Sequence, residues 1–346
     1  IDAFIARLEE SGQNVPAFLR TAAGRSFYRV VNGNLEYLLA DGSYRILDRG
    51  PGIIRFSERR RTLAPQLENE VASYFTLPEE VGLIEFHSKA NTLDAQSMEL
   101  IEGAVRHATK HCRTLVIHND AQHFSCGVNL DSVLKLIQTQ DWDGIDQFLA
   151  HFQQTVLALK LAPIPVIAAP SGLSLGGGFE VVLHSDKVIF HANSVTGLVE
   201  SLVGVVPGGG GVKEMLYRWA EIKGDTTKGA GEAFRNVGYG KTARSPLEAE
   251  PLAMFRPNID RFIMNRDRLL DTAIKVGLEM AADYSPTPRG TLQMAGGDAW
   301  QEMTDWLRKT QAKGYLTPHD VTTGTQIAMI VTGGDIPEGT EMNESD

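Results

Sequence analysis

The sequence predicts an α/β fold with helices packed on sheets, and three observations carry that expectation. From about residue 69 to 220, short apolar runs alternate with stretches of helical periodicity, the pattern of a layered α/β core. Glycine-rich turns stand where apolar strands hand over to helices. The 346 residues are 42% apolar and 22% charged, enough side chains for a sizeable core and roughly two domains.

Residues 1–68 read as an N-terminal appendage. Ala3, Phe4, Ile5 and Leu8 have helical spacing, and a second short helix is expected over 15–19. Phe27-Tyr28-Arg29-Val30-Val31 and Leu35-Glu36-Tyr37-Leu38-Leu39 flank Asn32-Gly33, a hairpin signal because both turn residues tolerate positive φ. Arg55, Arg59, Arg60 and Arg61 form a locally basic run, read as a solvated face or linker.

The core is expected over 69–220. Strands are predicted at Val81–Phe86, Leu115–His118, Val166–Ala169 and Val188–Phe190, and helices at Asp94–Thr109, Asp131–Leu136 and Phe148–Leu161. Residues 221–346 read as an insertion followed by a mostly helical region. Lys223–Ser245, rich in Gly, Lys, Thr and Ala, is expected to be a loop. Helices are expected over 255–283, where Leu270, Ile274 and Leu278 share a face, around Trp300, Trp306 and Leu307, and over Val321–Val331. There is no internal repeat.

Thirty-three basic against 43 acidic residues leave a net charge of −10, a field that repels phosphate and argues against nucleic-acid or anionic-membrane binding. Cys112 and Cys126 are the only cysteines and make no C-x-x-C pair, so no disulfide framework is expected. No apolar run reaches the roughly 18 residues that cross a membrane, and the opening lacks a signal-peptide pattern. A reducing, cytoplasmic setting is expected. The absent initiator Met and the polar final residues suggest a piece of a longer chain.

Three turns carry the chemistry. Pro170-Ser171-Gly172-Leu173-Ser174-Leu175-Gly176-Gly177-Gly178-Phe179-Glu180 follows an apolar strand and opens a helix. Consecutive glycines there either let a ligand approach the backbone and meet free N–H groups, suiting an oxyanion or phosphate, or merely let strand and helix pack closely in a tight turn. Phe124-Ser125-Cys126-Gly127-Val128-Asn129-Leu130 is a second such turn, with Asn129 as its helix cap, and Gly204-Val205-Val206-Pro207-Gly208-Gly209-Gly210-Gly211 a third.

These turns, in this order, resemble the crotonase (enoyl-CoA hydratase/isomerase) superfamily. Residues 124–130 are similar to its F-S-A-G-A-D-L turn, 172–180 to G-x-A-L-G-G-G-x-E, and 200–211 to P-E-x-x-L-G-x-x-P-G-x-G-G; Asp186 matches a later acidic position and Ala90-Asn91-Thr92-Leu93 an early N-A-L segment beside coenzyme A. The resemblance implies a crotonase-like spiral of ββα units with a helical C-terminal region. It implies an oxyanion hole from the N–H groups of Val128 and Gly177, with Glu180 and Glu200 as the catalytic glutamates. It also implies substrate contacts at Lys89, Ala90, Asn91, Ser125, Cys126, Leu130, Gly176, Gly204, Pro207 and Gly208. Cys126, Val128, Asn129 and Val199 depart from the family's usual Ala, Ala, Asp and Pro, but a hole built of backbone donors survives such changes.

The flanks Phe255-Arg256-Pro257, Met264–Leu270 and Ala281-Ala282-Asp283-Tyr284 resemble the hydratase part of bacterial fusions with a 3-hydroxyacyl-CoA dehydrogenase. Residues 1–68 are then the tail of the dehydrogenase half and its linker, and that half is expected in the same full-length polypeptide. No G-x-G-x-x-G occurs, so no NAD site is expected here. The expected reaction is hydration of a 2-enoyl-CoA in fatty-acid β-oxidation, coenzyme A being part of the substrate, with no metal, no separate cofactor, and a homo-oligomeric assembly.

Rival readings are weaker. Gly172-Leu173-Ser174-Leu175-Gly176 satisfies the hydrolase G-x-S-x-G pattern, but His184, His191 and His319 lie in no recognisable triad context. His107 and His111 are four apart without the Glu of H-E-x-x-H, which reads as a polar helix face. Cys126 has no visible His–Asp partner and reads as a small buried residue. A non-catalytic CoA-binding or assembly module would be marked by a lost glutamate or a blocked glycine turn, and neither is found. An enoyl-CoA isomerase is the nearest rival enzyme, since one carboxylate suffices for it.

Overall fold

Asn32 and Gly33 take φ of 51° and 75°, the turn geometry their side chains tolerate, and so fold β1 (Tyr28–Val31) back on β2 (Asn34–Leu38) in antiparallel register. In this computed structural model, which describes residues 1–286 and 290–344, β3 (Tyr44–Ile46) completes a three-stranded sheet. Helices α1 (Asp2–Glu10), α2 (Ala17–Thr21) and α3 (Phe56–Arg59) accompany it. Arg29 and Glu36 pair across the hairpin at 2.7 Å. Glu58 pairs with Arg49 and Arg55, so the basic run there is partly neutralised.

The chain divides into two compact units, 1–64 and 65–346. The division falls four residues before the expected boundary at 68. Residues 221–346, expected as a region apart, belong to the second unit together with the 69–220 core.

That unit is built on a seven-stranded sheet. Its strands are β4 (Leu67–Glu68), β5 (Ala72–Leu77), β6 (Val81–Phe86), β7 (Thr114–Ile117), β8 (Val166–Ala168), β10 (Lys187–His191) and β13 (Arg261–Ile263), in the order β13-β10-β8-β7-β6-β5-β4. β4, β5 and β6 are antiparallel; from β6 to β13 the neighbours run parallel. β6 and β7 are buried at every position, as central strands covered on both faces must be.

A second, smaller layer lies beside it: β9 (Leu173–Leu175), β11 (Val195–Gly197) and β12 (Thr242–Ala243), extended by single bridges from Ser125 to Ser174 and from Leu93 to Val128. Four times the chain runs through the large sheet, touches the small layer, and enters a helix. The helices are α4 (Ala95–His111) after Leu93, α5 (Leu130–Gln138) after Ser125, α7 (Gly177–Leu183) after β9 and α8 (Gly211–Lys223) after β11. This is the expected spiral of ββα units. The glycine turns are the places where small layer gives way to helix. α6 (Trp142–Lys160) packs against α4, and α11 (Leu269–Met280) against β7, β8 and β10.

Two expectations fail. Lys223–Ser245 is not a loop: α9 (Thr226–Gly238) occupies it, capped by the Asp225 side chain and burying Ala230, Ala233, Phe234 and Val237. Its small residues serve close helix packing, since a Cβ on Gly229 would lie 2.6 Å from the Ala220 backbone. The helix expected over 255–283 begins only at Leu269, because 261–263 is claimed by β10 as β13. A short turn, α10 (Pro246–Ala249), precedes that region. Helices α12 (Gly296–Ala312) and α13 (Pro318–Thr332) close the chain, α13 lying against α8 and α9. Among the described residues, no helix is long and apolar enough to cross a membrane.

Candidate active site

The helix-entry ends of the small layer bring the expected residues together. Ser125 is locked to β9 in both directions, its N–H donating to the Leu173 carbonyl at 3.1 Å and its carbonyl accepting from Leu175 N–H at 3.0 Å. Leu93 holds the same turn on its other side: its N–H donates to the Gly127 carbonyl, and its carbonyl accepts from Asn129 N–H at 2.7 Å. Between these anchors Val128 is presented to Gly177, whose Cβ, if it had one, would stand 2.9 Å from Val128 Cγ2. Among the described residues neither Val128 N–H nor Gly177 N–H has a protein acceptor. For Gly177 this follows from its place at the start of α7, where the helix offers none.

Glu180, in the first turn of α7, is buried (1% exposed). Its Oε1 accepts from the N–H groups of Gly209 and Gly211, each at 2.8 Å. A carboxylate thus meets the amide end of α8, where negative charge is favoured. The approach demands glycine, since a Cβ on Gly211 would stand 2.9 Å from Glu180 Oε1. Glu200 arrives from the far side on a short 3-10 turn, Glu200–Val203. Its Oε2 is buried with no hydrogen-bond partner among the described residues, while its Oε1 lies 2.8 Å from where a Cβ on Gly176 would be.

Burial raises the pKa of Glu180, the charge of Glu200 raises it further, and the amides of Gly211 and Gly209 with the nearby Lys213 pull it down. Glu200 is likewise raised by burial, against the pull of its own amide and that of Val199. Two carboxyls at one buried place resist ionising together, so the pair is built to share a proton.

Lys89–Asn91 forms a tight turn in which Ala90 and Asn91 take φ of 55° and 52°. Asn91 Nδ2 donates to the His123 carbonyl at 2.8 Å, and Cys126 N–H donates to the Ala90 carbonyl at 3.2 Å. Lys89, Ala90, Asn91, Ser125 and Cys126 therefore join Val128, Gly176 and Gly177. Leu130 opens α5 half exposed. Pro207 and Gly208 lead into the turn that holds Glu180, the Gly208 carbonyl accepting from Gln153 at 2.8 Å. Gly204 instead faces α13, its carbonyl bonded to His319 Nε2 at 2.6 Å.

The rival chemistries find no support in the geometry. Ser174 lies fully buried inside β9, its hydroxyl aimed at the Gly178 carbonyl, not exposed on an elbow. Burial raises the Cys126 thiol, the opposite of activation. His107 and His111 stack at 4.5 Å, with His107 Nδ1 bonded to the Tyr74 hydroxyl, and no third metal-binding side chain joins them among the described residues.

The flanking motifs brace the sheet. Asp186 accepts from Val166 N–H and from the Tyr284 hydroxyl, and Arg256 holds both Asp260 and the Asp186 carbonyl. Sequence reasoning missed three residues around the glutamates. Phe152 of α6 fills the space beside Gly177 and Gly209, and His184 and Glu214 lie buried next to the Gly209–Gly211 turn. Only a polar residue in an otherwise apolar helical run, as in Val181-Val182-Leu183-His184, could have hinted at the last two.

Comparison with known proteins bears on the fold. The family model for enoyl-CoA hydratase/isomerase matches residues 76–221. The chain is 28% identical over 342 residues to the Bacillus subtilis (strain 168) protein named "Probable 3-hydroxyacyl-CoA dehydrogenase", covering 98% of this chain and 43% of that protein. It therefore spans less than half the length of that relative. Mouse mitochondrial methylglutaconyl-CoA hydratase is 26% identical over 223 residues, 57% of this chain and 68% of the relative. Among solved structures, an enoyl-CoA hydratase from Bacillus anthracis superposes with a TM-score of 0.52 at 19% identity, covering 76% of this chain and 90% of that one. The shared architecture is the crotonase fold.

Proposed function

We propose that this chain, whose residues 76–221 match the family model for enoyl-CoA hydratase/isomerase, catalyses the reversible addition of water to 2-enoyl-CoA thioesters. The observation that carries the reading is the pairing of Glu180 and Glu200, both held in a buried site beside two backbone N–H groups that have no protein acceptor among the described residues.

The thioester oxygen lies between the N–H groups of Val128 and Gly177. With the pair's one proton on Glu200, Glu180, anchored by Gly209 and Gly211, takes a proton from water as its oxygen bonds to the β-carbon. The double-bond electrons move toward the thioester, placing enolate charge on the oxygen in the amide pair. Each such donor is worth ~2.7–4 kcal/mol to the transition state. Glu200, protonated at the oxygen that has no other partner, delivers its proton to the α-carbon. The pair begins and ends with one proton, on opposite partners, and exchange with solvent restores the start. Positioned acid–base groups of this kind contribute about 10²–10⁴-fold.

The rival within the family is movement of the double bond between the 3- and 2-positions, which one carboxylate can serve; the placement of both glutamates at one site favours hydration. The dehydrogenase name of the Bacillus subtilis relative supports a longer polypeptide in which a 3-hydroxyacyl-CoA dehydrogenase half consumes the hydrated product. Mixing the protein with crotonyl-CoA tests the reading. Loss of the conjugated-thioester absorbance is expected. A protein that leaves crotonyl-CoA untouched yet converts a 3-enoyl-CoA is an isomerase.

A further inference from the structure

The turn that grips Glu180 is itself gripped from below. Glu214 stands in the first turn of α8, three residues past Gly211, and is fully buried. Its Oε1 meets Lys160 Nζ of α6 at 2.5 Å and Lys213 Nζ at 3.3 Å. Glu344 pairs with the same two lysines. A buried carboxylate is tolerated only when paired in this way, so the cluster ties the start of α8 to α6 and to the C-terminal segment.

His184 fills the remaining space. It lies one turn after Glu180 on the run of α7, is 2% exposed, and its Nδ1 donates to the Glu180 carbonyl at 2.7 Å. That bond fixes the tautomer, because a carbonyl can only accept. The other ring nitrogen, Nε2, faces the turn: it is 3.7 Å from Glu214 Oε1 and 3.2 Å from where Gly210 would carry a Cβ. Burial pushes its pKa down to about 4, so the ring is neutral near pH 7.

We propose that His184 and Glu214 are positioning residues, holding the Gly209–Gly211 turn where its two amides bind Glu180. The inference rests on the proposed hydration chemistry for its kinetic consequence, but not for its structural one. Of the charged groups, Glu200 raises the Glu180 carboxyl and Lys213 lowers it, while Glu214 and Glu344 pair with Lys160 and Lys213.

The test is a ¹³C NMR titration of the Glu180 carboxyl in glutamate-labelled protein, assigned by its disappearance in Glu180→Gln. His184→Ala removes no charge near pH 7, so a rise of the Glu180 midpoint by about half a pH unit or more reports lost amide donation. His184→Asn, whose amide can still donate to the Glu180 carbonyl, should recover part of that rise. Glu214→Gln sharpens the sign: loss of a negative charge alone lowers the midpoint, whereas a loosened turn raises it. In crotonyl-CoA hydration, kcat should fall about ten- to hundredfold in both variants while KM stays within about twofold. A midpoint unchanged or lowered in folded His184→Ala or Glu214→Gln overturns the proposal. The titration needs no turnover, so a protein that does not hydrate crotonyl-CoA refutes the functional reading without deciding this one.

Discussion

Gly176 stands where the demands of backbone and site coincide, and Gly176→Ala should separate folding from chemistry. The residue has φ 52° and ψ −130°, a region essentially reserved for glycine, so an alanine there costs about 1–3 kcal/mol of strain. The added methyl would also lie 2.8 Å from Glu200 Oε1 and 3.3 Å from its Cδ. A side-chain end can retreat cheaply, so the fold should survive while the carboxyl moves. Gly176 N–H donates to the Gly197 carbonyl at 2.9 Å, and twisting that residue also re-aims the neighbouring Gly177 amide. Urea unfolding followed by circular dichroism should show a loss of about 1–3 kcal/mol, and crotonyl-CoA hydration should fall about a hundredfold. Gly238→Ala, in α9 with nothing within 4 Å of the added Cβ, is the control. It should be neutral or gain up to about 1 kcal/mol with unchanged turnover. Wild-type turnover in a Gly176→Ala protein that shows the full strain would refute the placement of Glu200.

Three further outcomes follow from the same geometry. The pH profile of kcat/KM for hydration should be bell-shaped, because the pair works only when it holds one proton; its acid limb should lie above the ordinary glutamate value of about 4.3, and a flat profile between pH 5 and 9 would contradict this. Stability should carry the signature of the raised Glu200 carboxyl. Between about 4.3 and neutrality the folded state binds more protons than the unfolded chain, so stability falls as pH rises. The Tm advantage of Glu200→Gln over wild type should therefore grow across that range, and a pH-independent difference would refute the shift. Titration with NADH followed by its fluorescence should show no saturable binding, since no glycine-rich dinucleotide turn is found in the sequence; binding at about one site per chain would mean that residues 1–68 have been misread.

What the sequence disclosed depended on whether a residue's constraint is local. Asn32-Gly33 announces its hairpin because positive φ is a property of those two residues. The glycine turns announce themselves because a backbone that must be approached closely excludes Cβ atoms, and Asn129 caps α5 as expected. The α9 helix was hidden for the converse reason. Gly229, Gly231 and Gly238 weaken the helical signal, but Gly229 fits a tight seam against α8, a constraint imposed by a partner distant in the fold. The strand at 261–263 was hidden likewise, since three residues become β13 only because β10 offers an edge. At the site, Glu180 and Glu200 were legible through their motifs. His184, Glu214 and Lys160 were not, because nothing in 54 residues of separation between Lys160 and Glu214 foretells their contact.

The central claim is that Glu180 and Glu200 act as one proton-sharing unit in hydration. The measurement that meets it most directly compares crotonyl-CoA hydration by Glu180→Gln, Glu200→Gln and the double variant, with thioester binding measured alongside. If the two form a unit, each single change lowers kcat about 10²–10⁴-fold with binding nearly intact, and the double variant is scarcely worse than the poorer single one. Independent, multiplying losses, or a single variant that keeps near wild-type turnover, would contradict the account.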